Sequence, residues 1–228
     1  MGTVASFINV LFPSDCACCG DVLMQGERQL CLKCLTSLSK THFSILDENA
    51  MERKLAGRFP FEHATALYYF RRGSTVQQLI HAIKFHSNSE LCLMMGRQLG
   101  LALLRSGHFD NVDILMPVPL HWRRKLQRGY NQSELLCRGI AEVFPRPINR
   151  RALVRHRYTE KQSMQESGNR SKNVEGAFKV KRPKELEGRH VLLVDDVFTT
   201  GATVGSCADA LAEVAGIRIS VATLSFVE

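Results

Sequence analysis

The chain has 228 residues, of which 45% are hydrophobic, so its composition is that of a globular protein and excludes a largely disordered chain. The net charge of +8 is uneven, because residues 121–172 contain thirteen Lys and Arg against four Asp and Glu, a net of +9 that leaves −1 elsewhere. Such a one-sign segment indicates either contact with a polyanion, such as a diphosphate or nucleic acid, or a solvated basic face.

Residues 1–12 are predicted to form a short amphipathic helix or arm that packs on the module after it, with contact to a membrane surface as the alternative. No Lys or Arg precedes the apolar run Val4–Phe12, and the run is too short to span a bilayer. We therefore expect no secretory signal, no transmembrane segment and a cytoplasmic, reducing environment for the eight cysteines.

Two Cys-x-x-Cys pairs follow, Cys16 with Cys19 and Cys31 with Cys34, with eleven residues between the pairs. Each pair suits a tight knuckle whose backbone N–H groups stabilise thiolates, and two knuckles form a closed tetrahedral site that suits structural Zn²⁺. A segment this short needs a metal to fold. Cys18 is an alternative ligand to Cys19, and a redox dithiol is the alternative function.

A larger α/β unit is predicted after a connector at residues 36–61. Hydrophobic periodicity predicts strands at 64–70 and 112–116, and helices at 76–84, 90–104 and 133–143. Further strands are predicted at 147–154, 176–180 and 217–226. Between the strands at 147–154 and 176–180, the nineteen residues from Arg155 to Asn173 show no apolar periodicity, which is typical of a mobile lid or a disordered loop.

The most basic part of the chain follows the strand at 112–116. It begins with a loop formed by Pro117, Val118, Pro119 and Leu120. Guanidinium groups suit bidentate contact with phosphate, so Arg123, Arg124 and Arg128 are candidate partners of an anion. Trp122 is predicted either to stack on a base or to pack against the loop.

Residues 190–203 read His-Val-Leu-Leu-Val-Asp-Asp-Val-Phe-Thr-Thr-Gly-Ala-Thr. The apolar run Val191–Val194 predicts a central parallel strand that is buried on both faces, with Asp195 and Asp196 at its carboxyl end. A small, hydroxyl-rich turn then leads into a helix pattern that stops at Gly216. The turn consists of Thr199, Thr200, Gly201, Ala202 and Thr203.

This strand, acidic pair, turn and helix predict a site for a phosphorylated sugar. Unpaired N–H groups and the dipole at the helix N-terminus favour an anion, and Gly201 permits close approach to the backbone. The adjacent carboxylates of Asp195 and Asp196 can accept hydrogen bonds from a vicinal diol or hold hydrated Mg²⁺. Ligands of α/β sheets bind at this edge.

The same run resembles the phosphoribosyl diphosphate (PRPP) signature of type I phosphoribosyltransferases. The resemblance implies that Asp195 and Asp196, as the catalytic pair, hold the ribose hydroxyls, and that residues 199–203 bind the 5′-phosphate. It also implies that Pro117–Leu120, with Arg123 and Arg124, receives the diphosphate, and that a flexible loop closes over PRPP. The loop contacts would be Arg155, Gln162, Arg170 and Asn173.

The four cysteines, the Pro-Val-Pro-Leu loop, the Arg-Gly-Tyr-Asn-Gln motif from 128 and the Gly-Ala-Phe-x-Val segment from 176 complete a wider pattern. Together with the 190–203 site, they resemble the ComF family, which includes competence proteins and GntX-like proteins. The resemblance implies a zinc module, residues 1–60, on a phosphoribosyltransferase-like domain, residues 61–228. That domain would have a twisted, mostly parallel sheet with helices on both faces.

The family resemblance also implies a role with single-stranded DNA in natural transformation or in the use of imported DNA. A membrane-associated DNA-uptake helicase belongs to that role, with the protein cytoplasmic or peripheral at the inner membrane. Three functions stay open: a PRPP-dependent transferase with an unidentified acceptor, a single-stranded DNA-binding factor, and a PRPP-sensing regulator without turnover.

Overall fold

The computed structural model describes residues 14–85, 88–156 and 176–228, and the predicted arm at 1–12 lies outside them. The α-helices in these ranges are α1 (Leu32–Thr36), α2 (Ala50–Leu55), α3 (Thr75–Phe85), α4 (Ser89–Ser106), α5 (Trp122–Arg128), α6 (Gln132–Val143) and α7 (Ala202–Leu211). The strands are β1 (Ala64–Phe70), β2 (Ile114–Pro117), β3 (Leu153–Arg155), β4 (Phe178–Val180), β5 (His190–Phe198) and β6 (Arg218–Val227).

A four-stranded sheet with the order β1-β6-β5-β2 lies between two layers of helices, and all its pairings are parallel. The central strand β5 alternates its side chains between the layers, as the period of two in a strand requires. Leu192 and Val194 pack with α3, α4 and α6, whereas Val191 and Leu193 pack with α2 and α7. The predicted α/β class is confirmed.

The parallel order brings the carboxyl ends of the strands to one edge of the sheet. Pro117 ends β2 beside β5, and the N–H of Val118 donates to the carbonyl of Val194 at 2.9 Å. The Pro117–Leu120 loop and the acidic pair therefore lie at neighbouring positions on the edge where α/β proteins bind ligands.

Three predicted elements differ from the observed ones. The basic stretch after His121, read as a loop, forms helix α5. The strand predicted at 147–154 is shortened to β3, which pairs with β4 in a separate antiparallel ribbon, and only an isolated bridge joins Ile148 to Leu115 of the main sheet. The predicted connector contains α2, whose Met51 and Leu55 are fully buried in the layer on the sheet. The domain boundary at residue 60 stays a prediction.

Helices α4 and α6 cross at a glycine contact. A Cβ atom added to Gly96 would lie 2.5 Å from the carbonyl oxygen of Leu136, and one added to Gly139 would overlap the carbonyl oxygen of Leu93. Backbone cannot move away as a flexible side chain can, so both positions require glycine for packing.

We expect Gly139→Ala to lower the free energy of unfolding by about 1–3 kcal/mol, the usual cost of overpacking a core. The matched control is Gly205→Ala in α7, because nothing lies within 4 Å of a Cβ at that position. Alanine there should be neutral or stabilising, since it is the better helix former. Urea denaturation of both variants is the measurement, and equal effects would contradict the close helix crossing.

Candidate functional site

The acidic pair lies within strand β5 and not after it, because the strand runs on to Phe198. Asp196 is buried and Asp195 is partly exposed. The pair therefore stands on rigid backbone, three residues before the Thr-rich turn.

Asp195 is held by two donors. Its Oδ1 accepts a hydrogen bond from the hydroxyl of Ser133 at 3.0 Å and another from the backbone N–H of Asp196 at 2.9 Å. Burial, followed by the nearby charge of Asp196, raises the pKa of Asp195 to about 7, although the two hydrogen bonds and Lys84 act in the opposite direction. Asp195 thus changes its charge near neutral pH.

Asp196 has a cationic partner that the sequence did not indicate. The Nζ of Lys84, in the last turn of α3, lies 3.1 Å from Oδ2 of Asp196, and the two side chains are 19% and 13% exposed. The buried backbone carbonyl of Asp196 also accepts from the hydroxyl of Ser225 on β6 at 3.3 Å. A neighbouring cation therefore balances the charge of one carboxylate of the pair.

The raised pKa predicts a pH-dependent gain in stability for Asp195→Asn. Ionised Asp195 disfavours the folded state, and its pKa is higher folded than the ordinary value of 3.8. The thermal midpoint of the variant should exceed that of the parent above pH 7. The gain should shrink as the pH falls from 7 toward 3.8 and vanish below that, where both states bind the proton. Midpoints that coincide across this range would contradict the assigned pKa.

The Thr-rich turn ends at the N-terminus of α7. Gly201 occupies the N-cap position with φ +78°, a left-handed conformation that favours glycine. Gly201 has no side chain to cap the helix. The N–H of Ala202 donates to Oγ1 of Thr200 at 3.4 Å, whereas the next backbone donors of the first turn stay available to an anion. A Cβ at Gly201 would also lie 3.0 Å from the ring of Phe198.

The Pro117–Leu120 loop is hydrogen-bonded to the start of α6. The side-chain amide of Asn131, the N-cap of α6, donates to the carbonyl of Val118 at 3.1 Å. Helix α5 begins at buried His121, whose Nδ1 accepts from the N–H of Arg123 at 3.3 Å. Burial and then the charges of Arg155, Arg123 and Arg124 lower the pKa of His121. The neutral imidazole therefore caps a helix that carries these candidate phosphate ligands.

Arg155 is the one of the four predicted lid contacts that lies within the described residues. Its guanidinium carbon lies 5.3 Å from the centre of the Phe178 ring, and its pKa is lowered by burial and then by Arg124. The charge of Asp195 acts in the opposite direction and raises the pKa of Arg155. The other predicted lid residues, Gln162, Arg170 and Asn173, lie outside the described residues.

Sequence reasoning missed three polar side chains near the pair: Lys84, Gln132 and Ser133. The Oε1 of Gln132 accepts from Arg128 at 3.0 Å, and its Nε2 is buried without a hydrogen-bond partner among the described residues. The Arg-Gly-Tyr-Asn-Gln motif could have drawn attention to Gln132, whereas Lys84 had no local signal.

The four predicted metal ligands come together. The Sγ atoms of Cys16, Cys19, Cys31 and Cys34 all lie within 4.8 Å of one another. The distance from Cys19 to Cys31 is 3.7 Å, close to the edge of about 3.8 Å expected for a tetrahedron with zinc–sulfur bonds of about 2.3 Å. Burial raises the pKa of Cys16, but N–H groups of Cys19, Cys31 and Cys18 outweigh it and lower the pKa to about 6. The donor set fits a thiolate-bound metal ion.

Cys18 lies outside that cluster. Its Sγ is 3.9 Å from the carbonyl of Thr75, the first residue of α3, and burial raises its pKa to about 12. The hydroxyl of Ser37 donates to that of Thr75 at 2.8 Å. The cysteine module thus packs against the start of the helix whose last turn carries Lys84.

Among the described residues, none of the helices combines the length and apolar character needed to cross a membrane.

Comparison with known proteins gives one family match and several relatives. Residues 133–226 match the family described as phosphoribosyl transferase domain. Over 136 residues the chain is 36% identical to the DNA utilization protein YhgH of Escherichia coli K12. The matched region is 58% of this chain and 59% of that protein. The chain therefore spans less than two thirds of that relative.

Two competence proteins are also similar. Competence protein F of Haemophilus influenzae is 32% identical over 130 residues, 55% of this chain and 57% of that protein. Competence protein ComFC of Bacillus subtilis is 38% identical over 104 residues, 46% of this chain and 40% of that protein. These relatives and the family match agree with the motifs read from the sequence.

Proposed function

We propose that the chain is a member of the ComF family that binds PRPP and serves in DNA uptake or in the use of imported DNA. The observation that carries the proposal is the order of groups along one strand and helix. Strand β5 presents two aspartates and leads within three residues to a helix N-terminus whose N-cap is a glycine at positive φ. This order matches the diol and the 5′-phosphate of one ribose phosphate.

In the proposed complex, the carboxylates of Asp195 and Asp196 accept hydrogen bonds from the 2′- and 3′-hydroxyls. The 5′-phosphate lies on the turn at residues 199–203, where backbone N–H groups and threonine hydroxyls donate to it. Ser133 supports this arrangement, because its hydroxyl fixes the orientation of the Asp195 carboxylate. The diphosphate lies toward Pro117–Leu120, with Arg123 and Arg124 on the adjacent helix.

The residues also fit the two metal ions that the family resemblance implies. Two carboxylates at the ligand edge suit hydrated Mg²⁺, which would accompany the diphosphate of PRPP and offset its charge. The four thiolates suit Zn²⁺ in a closed site, where a metal stabilises the fold and has no open position for substrate. Asp195 and Asp196 thus orient the sugar, whereas the cysteine module supports the domain.

If the protein is a transferase, the bond between ribose C1 and the diphosphate oxygen breaks with its electron pair leaving on the diphosphate. An acceptor nucleophile then forms the new bond to C1. Binding requires only the groups described above, whereas transfer also requires an acceptor. Release of diphosphate from PRPP in the presence of candidate acceptors distinguishes a transferase from a PRPP sensor.

Isothermal titration of the protein with PRPP and Mg²⁺ tests the proposal. We expect saturable 1:1 binding, with weaker binding of ribose 5-phosphate, which lacks the diphosphate. An absence of heat together with an absence of protection against thermal unfolding would refute it.

A second candidate function, binding of single-stranded DNA, rests on the surface of α5. Trp122 and Leu126 are 60% and 75% exposed at helical spacing, and the guanidinium of Arg123 lies 5.4 Å from the centre of the Trp122 ring. An exposed aromatic ring among cations is typical of surfaces that stack bases and follow a phosphate backbone.

We expect Trp122→Ala to weaken binding of labelled oligo-dT by about 10-fold or more, since stacking contributes roughly 1–3 kcal/mol per base. Arg123→Gln should weaken binding and reduce the slope of log K against log salt by about 0.7, the loss of one phosphate contact. Arg182→Gln, on an exposed turn before β5, is the control. Fluorescence anisotropy at several salt concentrations measures both, and unchanged binding in the α5 variants would exclude this surface.

The proposed location is cytoplasmic, with peripheral association at the inner membrane through a DNA-uptake helicase. This proposal rests on the family alone. Fractionation of cells with and without the helicase tests it, because the membrane-associated fraction should disappear with the partner.

A further inference from the structure

The pair formed by Lys84 and Asp196 is placed where the proposed function needs a carboxylate to be accessible. The Nζ atom lies 3.1 Å from Oδ2, and 19% of the lysine side chain is exposed, so the lysine is not fully buried in the core. An ammonium group has three donors, and this contact uses one of them. The remaining donors can reach a second anion without leaving the site.

Arg128, the last residue of α5, contacts both α3 and α6, and the charges of Asp195 and Asp196 also act on it. Asp196 donates its N–H to Asp195, which accepts from Ser133, the neighbour of Gln132. Gln132 accepts from Arg128, and the guanidinium of Arg128 lies 5.9 Å from the ring of Phe85, the neighbour of Lys84. Arg128 thus links Gln132 of α6 to the end of α3 that carries Lys84.

Gln132 provides an independent sign that a ligand acceptor is missing there. The residue is 2% exposed, and its Nε2 donates to no acceptor among the described residues. Its amide orientation is fixed, because turning it over would place its NH₂ donors against the donors of Arg128. A buried donor without an acceptor is unfavourable, and an oxygen of a ligand would provide the missing acceptor.

We propose that Lys84 and Gln132, with Arg128, form a subsite for the diphosphate of PRPP. In the free protein Lys84 is paired with Asp196. When the ribose hydroxyls bind the acidic pair, the ammonium turns to diphosphate oxygens, and this movement admits an oxygen to the amide nitrogen of Gln132. The inference rests on the proposed PRPP function and adds residues from α3 and α6 that lie outside the Pro117–Leu120 loop.

Diphosphate chemistry explains why donors and cations converge here. The group carries several negative charges, Lys84 carries a positive charge beside Asp196, and Arg128 carries one beside Gln132. A purely structural ion pair would explain the contact of Lys84 but not the unmatched amide of Gln132. The movement of Lys84 from Asp196 to the diphosphate also leaves the Asp196 carboxylate to the ribose hydroxyls. The sugar and the lysine then need not bind the same carboxylate.

Titration with inorganic diphosphate, ribose 5-phosphate and PRPP, each with Mg²⁺, tests the inference. We expect Lys84→Met to weaken diphosphate and PRPP binding by about 10-fold or more, as for the loss of a charged hydrogen bond, and ribose 5-phosphate by less than about 3-fold. Gln132→Glu should weaken diphosphate binding, because it replaces the NH₂ donor with a carboxylate oxygen while it keeps an acceptor for Arg128. Lys184→Met, an exposed lysine in the turn before β5, should change nothing.

Asp196→Asn separates a ligand role of Lys84 from a structural one. Removing the carboxylate frees the ammonium, so diphosphate should bind as tightly as in the parent or more tightly, while ribose 5-phosphate binds more weakly. Adding Lys84→Met to Asp196→Asn leaves no buried unpaired charge, and it should then abolish the diphosphate gain. This double variant keeps the test valid if Lys84→Met alone does not fold.

The outcomes distinguish the two levels of the proposal. If the parent protein binds no PRPP, the proposed function fails. If the parent binds PRPP but Lys84 variants bind diphosphate as the parent does, or lose ribose 5-phosphate equally, only this inference is overturned.

Discussion

Replacing both Asp195 and Asp196 with asparagine is expected to weaken PRPP binding by at least about 100-fold. Two carboxylates that accept hydrogen bonds from a diol become neutral amides, and each charge-assisted bond is worth about 1.5–3 kcal/mol. The fold should persist, because the amide oxygen at position 195 can still accept from Ser133. Isothermal titration at pH 8 is the measurement, since Asp195, with its pKa near 7, is then ionised in the parent.

The matched control for this pair is Asp209→Asn, an exposed position on α7. It makes the same chemical change on the helix that begins at the proposed phosphate turn. PRPP affinity of the control should equal that of the parent. If the double variant retained parental affinity at pH 8, the acidic pair would not hold the sugar.

Serine at Cys16, Cys31 or Cys34 is expected to remove bound zinc and unfold the cysteine module. These thiols are buried and brought together in a segment with little apolar core of its own, so the metal contributes a large part of its folding free energy. Elemental analysis of the parent should give one zinc per chain. Chelation of the parent should reproduce the loss of structure in the variants.

Cys18→Ser and Cys19→Ser distinguish the two adjacent cysteines. Cys19 belongs to the group of four sulfurs, whereas Cys18 lies beside Thr75, so only Cys19→Ser should release the metal. The opposite result would assign Cys18 as the ligand. One zinc in both variants would exclude the four-sulfur site.

The central part of the fold was predictable because its signals are local. Apolar runs marked β1 and β5. Each Cys-x-x-Cys pair is a local motif, and two such motifs indicated which sulfurs meet, Cys19 and Cys31 among them. The order of Asp195, Asp196 and the Thr-rich turn placed the candidate site at the edge where the parallel strands end. These features depend on residues close in sequence.

The missed features depend on contacts distant in sequence or on an unusual surface. Helix α5 was read as a loop because its apolar residues, Trp122 and Leu126, are exposed and its remaining side chains are mostly cations, so no buried face was visible. Lys84 meets Asp196 only because α3 packs on β5, and nothing around residue 84 indicates that partner. The connector contained α2, whose two fully buried side chains, Met51 and Leu55, were too few to show a period.

A crystal structure of the protein with PRPP and Mg²⁺ tests the central claim most directly. We predict the ribose hydroxyls within hydrogen-bond distance of Asp195 and Asp196 and the 5′-phosphate on the backbone N–H groups of residues 199–203. Density for PRPP elsewhere, or an acidic pair still closed on Lys84 with the sugar excluded, would contradict it.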